Sequence, residues 1–167
     1  NDETGKVLTP MNMAKEMVLP YSMQVSDEST SLIAGLNISK NTENWSYGGQ
    51  ITFKNKIDDK EWSYGNGFTL NGWAGKNLSD SIWGSIRLSY ADIDSIDGRD
   101  MRIMAPVQTA NPKNYGGSNY KLSFGLNKRL SNGDNLDFEL SIPFEQKLNG
   151  PQMEEDLTLT LGYKKGF

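Results

Sequence analysis

Tyr120-Lys121-Leu122-Ser123-Phe124-Gly125-Leu126-Asn127 is the stretch that decides the fold class. Every second side chain is apolar, and those between are polar or absent. A period of two belongs to a β-strand with one apolar and one wet face. The pattern recurs on both sides of this segment. Upstream, Leu32, Ala34, Leu36 and Ile38 alternate with Ser31, Gly35, Asn37 and Ser39. Trp45, Tyr47, Gly49, Ile51 and Phe53 alternate with Ser46, Gly48, Gln50, Thr52 and Lys54. Phe68, Leu70, Gly72 and Ala74 follow, then Ile82, Gly84, Ile86, Leu88 and Tyr90. Downstream come Leu136, Phe138, Leu140, Ile142 and Phe144, and last Leu157, Leu159, Leu161 and Tyr163. Seven strands and no convincing helix are predicted, an all-β antiparallel fold.

Composition removes whole classes of function. The 167 residues contain no Cys and no His. That excludes thiol chemistry, Cys- or His-ligated zinc, and any Ser-His-Asp triad within this chain. No G-x-S-x-G or phosphate-loop pattern occurs, so the chain is expected not to be an enzyme. Net charge is −4 with both signs interspersed, and no basic run suggests nucleic acid. No apolar stretch approaches the ~20 residues of a membrane helix, but a membrane barrel needs only alternate apolar residues. The chain starts at Asn1, as a processed secreted protein or a fragment does.

A soluble barrel or sandwich also alternates. Three features favour a transmembrane β-barrel. The other face carries Lys54, Arg87, Lys121, Asp137, Glu139 and Lys164 among small polar residues, a mixture suited to a hydrated lumen. Trp45, Tyr47, Tyr90, Tyr120 and Phe144 stand at strand ends, where aromatic girdles form at membrane interfaces. The closing Phe167 is in phase with Leu157, Leu159, Leu161 and Tyr163, and resembles the terminal signal read by outer-membrane assembly machinery.

Connection lengths predict an up-and-down topology. With Phe167 at the periplasmic side, the connections at residues 131–134, 77–80 and 40–43 fall there and are short. Those at 55–67, 92–117 and 147–156 fall outside and are longer, as barrels of this kind arrange them. Residues 1–28 then form an extracellular loop segment, and 29–167 supply the barrel strands. Because the first strand runs inward, an odd number of further strands, beyond these seven, is expected to complete the barrel.

Several stretches carry a family resemblance: Leu19-Pro20-Tyr21-Ser22-Met23-Gln24, Trp45-Ser46-Tyr47-Gly48-Gly49-Gln50, Ile96-Asp97-Gly98-Arg99-Asp100, Asn111-Pro112, Gly116-Gly117, Leu148-Asn149-Gly150-Pro151-Gln152 and Leu159-Thr160-Leu161-Gly162-Tyr163. In this order, and over nearly the whole chain, they resemble the C-terminal half of the outer-membrane transporter family of the phenol-degradation pathway. The resemblance implies an outer-membrane location and uptake of small solutes, aromatic or hydrophobic ones among them.

Four groups of residues are candidate sites, each with a plainer alternative. Met11, Met13, Met17 and Met23 offer soft thioethers at Cu(I)-like spacing, or adaptable packing of a loop over the barrel mouth. Asp92, Asp94, Asp97 and Asp100 with Gly98 have the oxygen ligands for Ca2+, or form a solvated turn or an Asp–Arg network. Trp73 and Trp83 both face the lumen, nearly opposite each other in a simple hairpin register, as a stacking platform or as filling. Arg129, Asp137, Glu139 and Lys164 interleave charges that cross-link the wall or bias which solutes pass.

A passive outer-membrane conduit for small solutes is the function expected, with the bilayer and the assembly machinery as partners and no resident cofactor. The alternatives are a barrel that scaffolds a protein partner and copper handling by the methionine-rich segment.

Overall fold

The computed structural model describes residues 3–8 and 11–166. It is all-β. Seven long strands form one antiparallel sheet: β3 (Ser31–Asn41), β4 (Trp45–Lys56), β6 (Gly67–Ser79), β7 (Ile82–Ile93), β9 (Gly117–Arg129), β10 (Asn135–Leu148) and β11 (Thr158–Lys164). Each strand pairs only with its neighbours in the chain, giving the meander β3-β4-β6-β7-β9-β10-β11. The sheet does not close, and β3 and β11 are its two edges.

All seven predicted strands are present, and the short and long connections separate to opposite ends as predicted. Residues 42–44, 80–81 and 130–134 make the short turns. In the last of these Gly133 takes φ 89°, which the Asn132-Gly133 pair suits. The long connections gather at the other end with the N-terminal segment. That segment holds a hairpin that sequence reading did not foresee, β1 (Thr4–Leu8) with β2 (Ala14–Val18), in which Lys6 faces Glu16 directly. Two further short strands, β5 (Trp62–Ser63) and β8 (Asp97–Gly98), join the first two long loops. Strand β10 keeps its run despite Pro143 because the register shifts between Pro143 and Glu145, where the ladder does without the missing N–H.

The alternation sorts side chains onto two faces. On one, rows such as Leu36–Ile51–Leu70–Tyr90–Tyr120 and Ile86–Phe124–Leu140–Leu159 cross the sheet strand by strand. This face is open: Leu36 is 61% exposed and Leu161 74%. The polar face is the more enclosed one, and Ser123 on it is 3% exposed. Among the described residues the buried apolar side chains are Tyr21, Trp62, Ile96 and Ile103, all in the loop cluster. The sheet therefore has no dry core, and its leucines and isoleucines do not point into one.

The small core instead holds a cap. Tyr21 packs edge-on against Trp62 at 4.7 Å between ring centroids, and Val18, Tyr64, Ala110 and Tyr115 surround them. The Tyr64 hydroxyl donates to the Tyr21 carbonyl at 2.6 Å, and the Asp100 amide donates to the Tyr21 hydroxyl at 2.9 Å. Thus the N-terminal segment and two loops are tied to one another rather than splayed. Trp62→Ala is expected to weaken the cap by about 3–5 kcal/mol, the usual range for emptying an aromatic site. Amide exchange at Asp100 and Ile103 measures it: both amides should exchange faster while those of β9 and β10 keep their protection.

Candidate functional site

The enclosed polar face is the candidate site. Rows Gln50–Asn71–Ser89–Lys121 and Trp73–Arg87–Ser123–Ser141 cross it. Its charges are paired across strands. Arg87 on β7 makes an ion pair with Glu139 on β10, passing over β9. On the strand it passes over, Gly125 stands opposite Glu139, and a Cβ there would come within 2.4 Å of the Ser85 hydroxyl. Lys121 pairs with Glu155 from the last long loop, and that ammonium holds the Glu155 carboxyl below the usual range. Asp137 accepts from the Asn127 amide, and Ser123 and Ser141 share a hydrogen bond at 2.7 Å. Lys164 stands at the short-turn end opposite Asn135, whose other neighbour is Arg129. These contacts link strands across the polar face, but through Arg87–Glu139, Lys121–Glu155 and Asn127–Asp137 and not among Arg129, Asp137, Glu139 and Lys164 themselves.

Trp73 and Trp83 share this face but are not opposite each other. Trp73 pairs with Arg87 and Trp83 with Asn77, because the hairpin closes in two residues, Asp80-Ser81, rather than four, and the register then shifts by one between Asn77 and Ser79. Each indole leans onto a glycine of the preceding strand. Three atoms of the Trp83 ring lie 2.5–2.6 Å from where a Cβ on Gly75 would be, so the ring lies across that glycine. The Trp73 ring reaches Gly48 in the same way, at 2.6 Å. Both indoles line a trough of about 420 Å3 together with Gln50, Asn71, Arg87 and Glu139.

No protein-family model, curated protein or solved structure matches the chain. The likeness to the phenol-degradation transporters thus stands on the quoted motifs alone.

The acidic run of the second long loop does not converge. Asp97 takes the Lys56 ammonium at 2.7 Å, Asp92 accepts from the Tyr90 hydroxyl at 2.8 Å, and the Asp94 amide bonds to the Asn66 carbonyl. Asp100 is fully buried and is held by the Arg102 guanidinium at 2.9 and 3.0 Å and by the Arg102 amide at 2.8 Å. Arg102 also reaches Glu3, which pins the N-terminal segment to the loop. Among the described residues no group of three or more carboxylates could hold a metal ion. The Asp–Arg network is the arrangement found, with Arg102 rather than Arg99 as the cation. Met11 lies in the β1–β2 turn, Met13 just before β2, and Met17 within β2 opposite Gly5. Phe167 lies outside the described residues; Tyr163 is on β11, where its hydroxyl bonds Asp134. Gly166 donates its amide to the same carboxylate at 3.1 Å, so Asp134 clasps the end of β11 to the preceding turn.

Sequence reading missed Glu155, because its partner Lys121 is 34 residues away across a loop. It also missed the glycine floors, which show no signal of their own until the strands are in register.

Two carboxylates set the pH response of the cap. Burial alone pushes Asp100 up, but the Arg102 hydrogen bonds outweigh it and the net shift is downward. Asp27 behaves likewise: burial raises it, and the amides of Tyr64 and Ser29 with the Ser29 hydroxyl bring it below its ordinary value. A carboxyl depressed in the folded state stabilises that state above its unfolded value of about 4, and the contribution is lost as pH falls through the depressed value. Amide exchange at Tyr64 and Arg102, corrected for the intrinsic rate, is therefore expected to accelerate below about pH 4. Asp100→Asn should loosen the cap already at neutral pH and flatten this acid dependence.

Gly75→Ala is expected to lift the Trp83 indole from its seat. A shift of tryptophan emission to longer wavelength, with the strand content unchanged by circular dichroism, is the outcome to look for.

Proposed function

We propose that this chain forms part of the wall of an outer-membrane β-barrel through which small solutes pass. The long-loop end and residues 3–30 face the cell exterior, and the short-turn end faces the periplasm. The reversal of the two faces carries this reading. An apolar face spanning seven strands lies open, while ion pairs and hydrogen bonds occupy the enclosed one. A water-soluble sheet does the opposite.

Aromatic rings at both ends of the apolar face add support. Phe53, Phe68, Tyr90, Tyr120 and Phe144 make a continuous belt at the long-loop end, with successive centroids 6.1, 5.5, 4.4 and 5.8 Å apart. At the short-turn end stand Trp45, Tyr47 and Tyr163, with the Lys76 ammonium 5.3 Å over the Trp45 ring. Along β4, Trp45 and Phe53 are separated by about 26 Å at ~3.3 Å per residue, or about 20 Å along the normal once the strand tilts by ~40°. That suits the ~25 Å apolar band of an outer-membrane barrel. Solutes would pass along the polar face, where Arg87, Glu139, Lys121 and Glu155 set the local charge.

Lipid quenching tests the wall. In full-length protein reconstituted with brominated lipids, single-tryptophan variants should show strong quenching of Trp45 and little of Trp73 or Trp83. Equal quenching of all three would sink the membrane wall. Conductance tests the passage: reconstituted protein is expected to conduct in planar bilayers, and Glu139→Gln should shift the reversal potential toward anions. A protein that leaves the bilayer sealed removes the conduit and keeps the wall.

A further inference from the structure

The trough on the polar face has a composition that the wall does not require. Its two indoles lie across Gly75 and Gly48, and both border the open volume of the trough. Around them stand Gln50 and Asn71, two primary amides that each offer donors and an acceptor, and the Arg87–Glu139 pair. A guanidinium has five N–H donors and a carboxylate about four acceptor sites, so the bond they share and the Ser141 hydroxyl's bond to Glu139 leave most of their capacity unused.

We infer that this trough is a binding site for neutral pyranose sugars, stacking a sugar ring on the Trp83 and Trp73 indoles and hydrogen-bonding its hydroxyls to Asn71, Gln50, Arg87 and Glu139. The site rests on the polar face being the solute path. A pyranose is amphipathic in the way the trough is. One face presents polarised C–H groups that suit the negative face of an indole, and its rim presents hydroxyls that both donate and accept. A planar aromatic solute fits worse, for a specific reason. It would stack on the rings but leave the two amides desolvated and without partners, and the remaining donors and acceptors of the ion pair unused; each buried group left unsatisfied costs about 1–3 kcal/mol. The two classes of solute therefore differ by the partners they give to Asn71, Gln50, Arg87 and Glu139. The volume of about 420 Å3 lies in the range of ligand-sized clefts and has room for more than one sugar ring.

Calorimetric titration of the full-length protein in detergent tests this, with maltotriose, cellotriose and raffinose as sugars and phenol as the aromatic probe. Saturable binding of at least one sugar is expected. Asn71→Ala and Trp83→Leu, the latter keeping an apolar bulk over Gly75, should each weaken it by about tenfold, which is ~1.4 kcal/mol. Lys54→Ala, away from the trough, should leave it unchanged. Unaltered strand content by circular dichroism shows that the variants remain folded. The site is overturned if none of the three sugars binds, if both trough variants bind as the wild type does, or if phenol displaces the sugar. Bilayer conductance of the same preparation separates the two ideas. Conduction without sugar binding removes the site and leaves the conduit, and sugar binding by a protein that does not conduct does the reverse.

Discussion

Everything in this molecule follows from which face of the sheet is left outside. Leu32, Leu36, Ile38, Leu88, Leu126 and Leu161 stand open, and each such side chain forgoes about 1.5–3 kcal/mol for as long as water covers it. Summed over seven strands, that is more than the net stability of an ordinary domain, about 5–15 kcal/mol. The sheet thus requires an apolar surrounding. Its opposite face must in turn satisfy its own polar groups, since little of the rest of the chain covers it. Arg87 with Glu139, Lys121 with Glu155, Asn127 with Asp137 and Ser123 with Ser141 do this pair by pair across strands.

Glycine shapes the enclosed face around those pairings. A strand position without a side chain is ordinarily a weak point. Here Gly125 leaves room for the Ser85 hydroxyl of the neighbouring strand, and Gly48 and Gly75 are the surfaces against which the indoles rest. Large and absent side chains alternate across neighbouring strands, so the enclosed face is filled without being crowded. The same device fixes the orientation of both rings, which is what gives the trough a shape rather than only a composition.

Much of the sheet was legible because it rests on a period of two, and that period survives any error in turn geometry. The seven strands, the two classes of connection and the assignment of Arg87, Lys121, Asp137 and Glu139 to one face could all be read from alternation. Register could not. The two-residue turn at Asp80-Ser81 and the bulge between Asn77 and Ser79 together set Trp73 against Arg87, and nothing in the flanking residues distinguishes this from a four-residue turn. The cap was the least legible part. Its core of Tyr21, Trp62, Ile96 and Ile103 is drawn from three separate segments, none with a period of its own. The Asp92–Asp100 run looked like a ligand set because spacing was visible and the cations were not. Arg102 and Lys56 take two of those carboxylates, and Lys56 lies 41 residues from Asp97.

The cap and the sheet also differ in how far apart along the chain their contacts lie. Sheet pairings join adjacent strands, so each can close a loop of modest length as soon as its neighbour is in place. The cap joins Tyr21 to Asp100 and Ser22 to Tyr115, separations of 79 and 93 residues. Closing such spans carries a larger entropic penalty unless the intervening chain is already ordered. Four of the long strands, β3, β4, β6 and β7, lie between those partners, and their pairing brings the ends of the span together. Cap closure is thereby conditional on the sheet, so an assembled cap is a marker of completed strand pairing beneath it.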